Sequence, residues 1–553
     1  MLSETKLTLL QQLVQQSTKD EIIWTKGYLA GFLANQNSVP QPIEVPVAVN
    51  VKPLIVYGTE TGNAKKVATQ LLANFKKDKI QAKTTDIFQF DVAKLEKETL
   101  VLFIVSTQGE GEFPQNAIGF YEKLKATDTN LNKLNFAVFG LGDSSYPLFC
   151  NAGVLLDEVL EQKGAKRLIP LVKADVDYSQ TVTNWESDLK AVFSKKATST
   201  SQVTGKQATS SVNQKKNYKG VVSHKVILND RGSNKQTYHI EITPYEEVFY
   251  QPGDAIGFYP KNSEAEILEI LSFFDKKTEK ETLFDKNIRG LGKKSLESLS
   301  EIFGITITEE KADLLDILNN YSKPENVTFE QVVALLHPIA PRLYSISSDV
   351  AAHDGLVHIT ANLNTFSING ATKTGLCSQF LADFPKDAEI EFYIHKNNNF
   401  KLPENDTDII LIGPGTGIAP FRSFLAHRDT EGAEGKNWLF FGEQHFALDF
   451  YYQTEIQEWL TTGTLTKLDT AFSRDQEQKI YVQDRIREKA KEFNQWLENG
   501  ASLYICGQKH PMSIDVENAV LEVIAAERNI SIDEAQAVLE ALESDGKYQK
   551  DVY

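Results

Sequence analysis

Twice along the chain an apolar, strand-like run passes straight into a glycine-bearing turn and then into a helix-like run. The first is LIVYGTETGNAKKVA from Leu54 and the second is IILIGPGTGIAPFRSFL from Ile409. A strand that feeds a helix must return to its sheet in parallel, and a run that is apolar throughout is buried on both faces. The chain is therefore constrained to hold two doubly wound parallel sheets, one near each end. At about 100–200 residues per domain, 553 residues leave room for a further unit between them.

Residues 53–193 continue the alternation, with strand candidates PLIVYG from Pro53, TLVLFIVST from Thr99 and NFAVFGLGD from Asn135. Residues 194–217 break it. That stretch holds nine Ser or Thr, five Lys and no acidic residue in 24 positions, too little apolar surface to order itself. As a flexible tether it spans roughly 25–30 Å. From 218 the pattern is β-rich (GVVSHKVI, QTYHIEIT, DAIGFY), with a helical insertion at about 261–338 before RLYSISS and LVHITANL. Residues 403–553 form the second wound sheet. Residues 1–37 read as helical, with Leu7, Leu10, Leu13 and Val14 on one stripe, and residues 38–52 as a proline-dotted link.

Composition removes several function classes. The formal net charge is −17, which disfavours nucleic acid as a partner. The apolar stretch Ile22–Ala34 is shorter than the roughly 20 residues a spanning helix needs, and Lys26 interrupts it, so no membrane association is expected. There are three cysteines, Cys150, Cys377 and Cys506, with no CxxC pair. A reducing cytoplasmic setting fits, and a four-cysteine cluster within the chain is arithmetically impossible. No metal site is expected.

Three loops follow strands of the first sheet. Thr59, Glu60, Thr61, Gly62, Asn63 and Ala64 form a hydroxyl-rich turn into a helix N-terminus, a setting that suits a phosphate and equally suits an ordinary cap. STQGEGEFP from Ser106 and LGDSSYPLFCNAG from Leu141 end the next two strands. Wound sheets bind ligands at this edge. Ser106, Thr107, Gln108 and Gly109 can offer amides to a ring edge, and Tyr146 can stack on a ring face.

Further along, Arg342, Leu343, Tyr344 and Ser345 pair a pyrophosphate-binding side chain with an aromatic one, although an amphipathic strand explains the same alternation. GLCSQFL from Gly375 repeats the helix-start logic. In the last unit Gly413, Gly415, Thr416 and Gly417 lie between a strand and a helix, as a dinucleotide site requires. Ser473, Arg474, Lys479 and Tyr481, after another strand, can surround a 2′-phosphate and favour NADP over NAD.

These motifs together resemble the NADPH-dependent diflavin reductases: a flavodoxin-like FMN domain joined to a ferredoxin–NADP reductase-like module. The implied fold class is α/β multidomain, with a flavodoxin-like doubly wound sheet, an antiparallel β-barrel FAD domain with a helical insertion, and a doubly wound NADP-binding domain. Implied FMN contacts are residues 59–64, Ser106, Thr107, Gln108, Gly109, Leu141, Gly142, Asp143, Ser144, Ser145, Tyr146 and Cys150. Implied FAD contacts are Arg342, Leu343, Tyr344, Ser345, Thr360, Ala361, Asn362, Gly375, Leu376, Cys377, Ser378 and the terminal Tyr553. Gln483 and Asp515 join the NADP set. Ser345, Cys506, Asp551 and Tyr553 would flank hydride transfer. Gln108, Pro414 and Gln508 depart from residues common elsewhere in the family.

WTKGYLAGFL from Trp24, the STQGEGE loop and the DVY terminus resemble most the flavoprotein component of NADPH-dependent sulfite reductases. That resemblance implies FMN, FAD and NADP(H) as cofactors and an iron–sulfur sirohaem subunit as partner, with sulfite reduced to sulfide for cysteine biosynthesis. It also implies that the N-terminal helices assemble the flavoprotein into a homo-oligomer. Competing readings are a soluble diflavin reductase serving a haem-thiolate monooxygenase or another one-electron acceptor, a non-catalytic flavin-binding scaffold, and a simple hydride dehydrogenase.

Overall fold

The computed structural model describes residues 52–59, 62–108, 111–144, 148–175, 178–195, 216–308, 311–321, 327–368 and 371–553. The N-terminal helical segment and most of the proposed tether lie outside the described residues. The chain divides into two compact units. Of the first (residues 1–50 and 191–201) only residues 191–195 are described, as the end of the helix Ser179–Lys195. The second unit, residues 51–190 and 202–553, holds everything that follows.

The first sheet contains β1 (Leu54–Gly58), β2 (Lys83–Asp86), β3 (Leu100–Ser106), β4 (Asn135–Leu141), β5 (Lys166–Arg167) and β6 (Val172–Ala174). Its order is β2-β1-β3-β4-β5, with β6 also paired to β4, and every pairing is parallel. β3 and β4 are buried along nearly their whole length, as strands covered by helices on both faces must be. The helix Asn63–Lys77 packs Ala64, Val67, Ala68, Leu71 and Phe75 inward, the spacing of one helical face, and ends on Lys76 and Lys77 where cations complement its dipole.

The middle unit is a six-stranded antiparallel sheet of β7 (Asn217–Ile227), β8 (Thr237–Pro244), β9 (Ala255–Phe258), β10 (Arg342–Ser345), β11 (Val357–Asn362) and β14 (Glu389–His395), in the order β10-β9-β14-β7-β8-β11. β12 (Thr365–Ile368) and β13 (Ala371–Thr374) form a separate hairpin. Between β9 and β10 come the helices Glu264–Phe273, Lys293–Phe303, Leu314–Asn320 and Phe329–Leu335, with their own core around Ile270, Leu299 and Ile317. The expected closed barrel is not formed among the described residues. The edge strands β10 and β11 approach each other, but one isolated bridge, Ile346 to Ile359, joins them. All four residues of β10 pair with β9, and the bridge to β11 comes only after β10 has ended.

The last sheet holds β15 (Ile409–Ile412), β16 (Asn437–Glu443), β17 (Lys467–Phe472), β18 (Ser502–Gly507) and β19 (Tyr548–Val552), all parallel, in the order β17-β16-β15-β18-β19. The chain steps outward from β15 to β17 and then resumes on the other side at β18. The strand order therefore reverses between β15 and β18, just as it does between β1 and β3 in the first sheet. Open sheets bind ligands at such a reversal, outside the strands' C-terminal ends.

The middle and last units are joined by a buried polar seam. Arg422, 5% exposed, donates to both Glu455 oxygens (2.6 and 2.8 Å), to the Ser347 carbonyl (2.7 Å) and to His358 Nδ1 (3.1 Å). Ser423 donates to the Ser348 carbonyl at 2.6 Å, and His427 pairs with Asp349 at 2.9 Å.

Candidate active site at the sheet edges

In the first sheet the register aligns Gly58 with Val105 and Ser106 with Leu141, so the loops after β1, β3 and β4 emerge side by side. Thr59 Oγ1 accepts from the Gly62 and Ala64 amides (3.0 and 3.4 Å), which shapes the turn into the helix at Asn63. Gly62, with φ 87°, caps the helix without a side chain, while Thr59 reaches over to its second amide, Ala64 N. Ser106 Oγ donates to Gly58 O at 3.4 Å, and Thr107 Oγ1 accepts from Ala152 N at 3.2 Å. Gln108 and Glu112 exchange backbone bonds of 3.0 and 2.8 Å, closing the second loop into a tight turn. Gly142 donates to Ala174 O, and Ser144 bonds Asp175 through its amide (3.0 Å) and its hydroxyl. A Cβ on Gly142 would meet Cys150 N at 2.9 Å, so the third loop needs a glycine there.

Cys150 lies against the third loop, its sulfur 3.0 Å from where a Cβ on Gly142 would stand. Its thiol points into the sheet, donating to Gly140 O (3.3 Å) and Ala174 O (3.6 Å), and burial pushes its pKa up to about 12. Glu60, Thr61, Gly109, Ser145 and Tyr146 lie outside the described residues. A surface hollow bounded by Gly164–Pro170 sits where β5 meets the start of β4, at the opposite edge from these loops.

In the middle sheet β10 carries Arg342, exposed, and Tyr344, half-buried. Leu343 pairs with Gly257 across the strands. Tyr344 packs edge-to-face on Phe258 at 5.9 Å and hydrogen-bonds Cys377. Burial, then Cys377, raise the Tyr344 phenol. The helix Leu376–Asp383 starts at Gly375 without a side-chain cap, while Ser378 ties its first turn by accepting from Asn364 N (3.2 Å) and donating to Gly375 O (3.0 Å). Thr360 and Ala361 are buried; Thr360 Oγ1 is bonded to Tyr452 OH at 2.6 Å, and Asn362 Oδ1 accepts from Thr237 at 3.1 Å.

In the last sheet the turn after β15 presses on the end of β18. A Cβ on Gly417 would lie 2.1 Å from the Cys506 carbonyl oxygen, and one on Gly413 would lie 2.7 Å from Gly417 O. That close backbone packing leaves a cradle at the head of the helix Ile418–Thr430, the form a pyrophosphate requires. Ser473 is buried after β17 with its amide bonded to Glu443 O. Arg474, Lys479 and Tyr481 are exposed, and Gln483 and Asp515 are half-buried in the first turns of the helices Val482–Glu488 and Ile514–Arg528.

The four residues expected around hydride transfer converge. β18 and β19 place Cys506 directly beside Asp551. Ser345, at the end of β10, donates its hydroxyl to Asp551 Oδ2 at 2.9 Å and reaches the Cys506 thiol. Tyr553 is pinned by backbone bonds to Gly507 O (3.1 Å) and from Lys509 N (2.9 Å), and its hydroxyl meets Thr416 Oγ1 at 2.7 Å. The chain terminus thus spans the glycine turn and the strand that carries Cys506. Burial raises the Asp551 carboxyl above the ordinary range, opposed by the Ser345 hydrogen bond and the Lys401 charge. Burial, then Asp551, hold the Cys506 thiol well above its usual value.

Sequence reasoning missed the segment Lys396–Lys401, whose Asn397 approaches Asp551 Oδ1 at 3.5 Å. It also missed Tyr178, which donates to Asn63 Oδ1 at 3.3 Å and hydrogen-bonds Asn399, linking the first loop to that segment. His239, Glu241 and His358 have the donor set of a metal centre. Arg422, however, donates to His358 Nδ1 and its charge lies close to both histidines. The guanidinium thus takes up the lone pair of His358 Nδ1, and the cluster belongs to the hydrogen-bonded seam around Arg422.

Comparison with known proteins bears on these three edges together. The flavodoxin family model matches residues 55–185, the FAD binding domain 292–380 and the oxidoreductase NAD-binding domain 411–518. The protein from Bacillus subtilis named Sulfite reductase [NADPH] flavoprotein alpha-component is 37% identical over 600 residues, covering 100% of this chain and 98% of its own length. The chain belongs to that family. Proteins of the same name from Shewanella oneidensis (37% over 598 residues) and Cronobacter sakazakii (36% over 597 residues) match at the same coverage, all of this chain and 98% of their own. As a member of the sulfite reductase flavoprotein family, the chain is an NADPH-dependent flavoprotein oxidoreductase whose cofactors are FMN, FAD and NADP(H). The residues present fit all three: a hydroxyl-bearing turn through a glycine of positive φ into a helix at the first sheet, Tyr344 beside Arg342 on β10, and close-packed glycines beside Cys506. No helix among the described residues is long and apolar enough to cross a membrane.

Proposed function

We propose that this chain draws electrons from NADPH through FAD and then FMN, and delivers them to a separate sirohaem and iron–sulfur subunit that reduces sulfite to sulfide. The observation that carries the reading is the convergence of Ser345, Cys506 and Asp551 from three strands, two of them in the last sheet and one in the middle sheet, beside the glycine turn at Thr416. The relatives' name, which describes an alpha component of an NADPH sulfite reductase, supports the acceptor.

When bound, the nicotinamide supplies a hydride and the two flavins divide its electron pair into single-electron steps. The chain's own residues position and shield that exchange. Ser345 holds its hydroxyl between Asp551 and Cys506, where it can bond a ring edge once Asp551 is the fixed acceptor. Cys506 contributes an un-ionised, polarisable wall that keeps water away. Tyr553 would cover the flavin ring until the nicotinamide displaces its side chain, which its hydroxyl fastens to Thr416. Arg342 and the start of the helix at Gly375 would hold the FAD pyrophosphate, and Ser473, Arg474, Lys479 and Tyr481 the 2′-phosphate of NADPH. The loops at Thr59–Ala64, Ser106–Gln108 and Leu141–Ser144 would seat FMN. The segment of residues 1–37 would assemble the flavoprotein into an oligomer and dock the haemoprotein, and residues 194–217 would tether the first domain as it moves between partners.

The test is direct. The purified chain should carry one FMN and one FAD, and with NADPH it should form sulfide only when a sirohaem subunit is present. Sulfide formation that is independent of that subunit, or a loaded chain with a single flavin, would refute the reading.

A further inference from the structure

The segment Lys396–Lys401 (KNNNFK) leaves β14 and crosses to the last sheet, and it is fastened at both ends. On the middle sheet its anchor is Asp254, whose side chain is wholly buried. The Asp254 carboxylate accepts from Lys401 Nζ (2.5 Å), Lys396 Nζ (3.1 Å), Asn397 N (3.0 Å) and Gln251 N (2.9 Å). Four donors on two oxygens satisfy a charge that would otherwise be costly to bury. On the last sheet the anchor is the backbone of Lys401. Its amide donates to Gln549 Oε1 at 2.7 Å, and its carbonyl accepts from Tyr504 OH at 2.8 Å.

Gln549 and Tyr504 lie two residues before Asp551 and Cys506 on the paired strands β19 and β18. One residue of the segment therefore grips both strands that carry the hydride-site groups. The charged or titratable groups around Asp551 are Lys401 from this segment, Cys506 from β18 and Tyr553 from the terminus; Ser345 from β10 and Asn397 are neutral. The Lys401 ammonium is held in place by the buried Asp254 carboxylate, and its charge favours the ionised form of Asp551.

We propose that Lys401 is a positioning residue for hydride transfer: locked to Asp254 through its side chain and to Gln549 and Tyr504 through its backbone, it holds β18 and β19 so that Cys506 and Asp551 face Ser345. The proposal rests on the reading of Ser345, Cys506 and Asp551 given above. Asp254 fixes where the ammonium lies, so the segment needs no contact with the nicotinamide to affect it.

The experiment uses the flavin-loaded chain and two readouts. One is the infrared carbonyl stretch of the protonated Asp551 carboxyl across pH, assigned by its loss in Asp551→Asn. The other is the pH profile of FAD reduction by NADPH in rapid mixing. In Lys401→Met the infrared midpoint should rise by about one pH unit, a tenfold change in proton affinity. The acid limb of flavin reduction should move up with it, and Lys401→Arg should return both toward the parent. Asn397→Ala, which leaves the Asp254–Lys401 pair intact, should shift both in the same direction by less, and it serves if the Met variant does not fold. An infrared midpoint that stays in place in both Lys401→Met and Asn397→Ala overturns the proposal. A midpoint that moves while the limb does not overturns the reading of Asp551 on which it rests, and the proposal with it.

Discussion

The Gly417→Ala substitution tests the geometry of the dinucleotide cradle. The new methyl would sit 2.1 Å from the Cys506 carbonyl oxygen, 2.7 Å from its carbonyl carbon and 3.2 Å from Gly507 Cα. All three are backbone atoms, so no rotamer change relieves the overlap. The turn after β15 and the end of β18 must part by about 1 Å, an overpacking cost of roughly 1–3 kcal/mol. The same 1 Å shifts Cys506 against Ser345, and misplacement of that size at a reacting centre costs about 100-fold in rate. Stopped-flow absorbance should show NADPH-driven FAD reduction slowed about 100-fold, with flavin content and chemical reduction by dithionite unchanged. Gly119→Ala is the control: a Cβ there meets nothing within 4 Å on the helix Gln115–Ala126, so the change should be neutral or stabilising. Flavin reduction in Gly417→Ala within twofold of the parent would refute the claim that this glycine sets the cradle.

Arg422→Met strips the buried seam of its cation and leaves Glu455, the Ser347 carbonyl and His358 Nδ1 without their donor; a loss of about 3 kcal/mol is expected in denaturant unfolding, and a loss below about 1 kcal/mol would show the seam to be incidental. The seam also sets a pH dependence. His358 and His239 are held down to about 2 and about 4 by burial and then by Arg422, so the unfolded chain binds more protons below its ordinary histidine value and stability falls as pH drops from 7 toward 5. Each contributes about 2 kcal/mol over that range. His427, raised by its hydrogen bond to Asp349, acts in the opposite sense, adding stability below about 6.5 that is lost as pH rises through its folded value. The melting temperature should therefore decline from pH 7 to 5, and His358→Gln should flatten the decline; an equally steep profile in that variant would count against the assignment.

What was legible in the sequence was local. β3, β4, β15 and β18 are buried throughout, and runs such as LVLFIV and SLYICG announce that by composition alone. The strand-end loops follow from them, since a parallel sheet puts every such loop on one edge. The less legible features depend on partners far along the chain. β19 reads YQKDV, with no apolar run, and is a strand because β18 lies beside it. Barrel closure was expected from the family pattern, yet it depends on whether β10 and β11 pair along their length, and they meet at the single bridge Ile346 to Ile359. The segment Lys396–Lys401 has no glycine and no motif; its place is set by Asp254, 143 residues before Asn397. Cys150 packs under the Gly142 loop, and its thiol bond to the Gly140 carbonyl is a contact that no motif announces.

The central claim is an ordered path, NADPH to FAD to FMN to an outside acceptor, and the most direct measurement separates its two halves. FMN is removed from the loaded chain while FAD is retained, NADPH is mixed in, and flavin bleaching and reduction of a one-electron acceptor are followed together. The account predicts FAD bleaching at the parent rate, acceptor reduction nearly abolished, and recovery on adding FMN back. Acceptor reduction at the parent rate without FMN would contradict it.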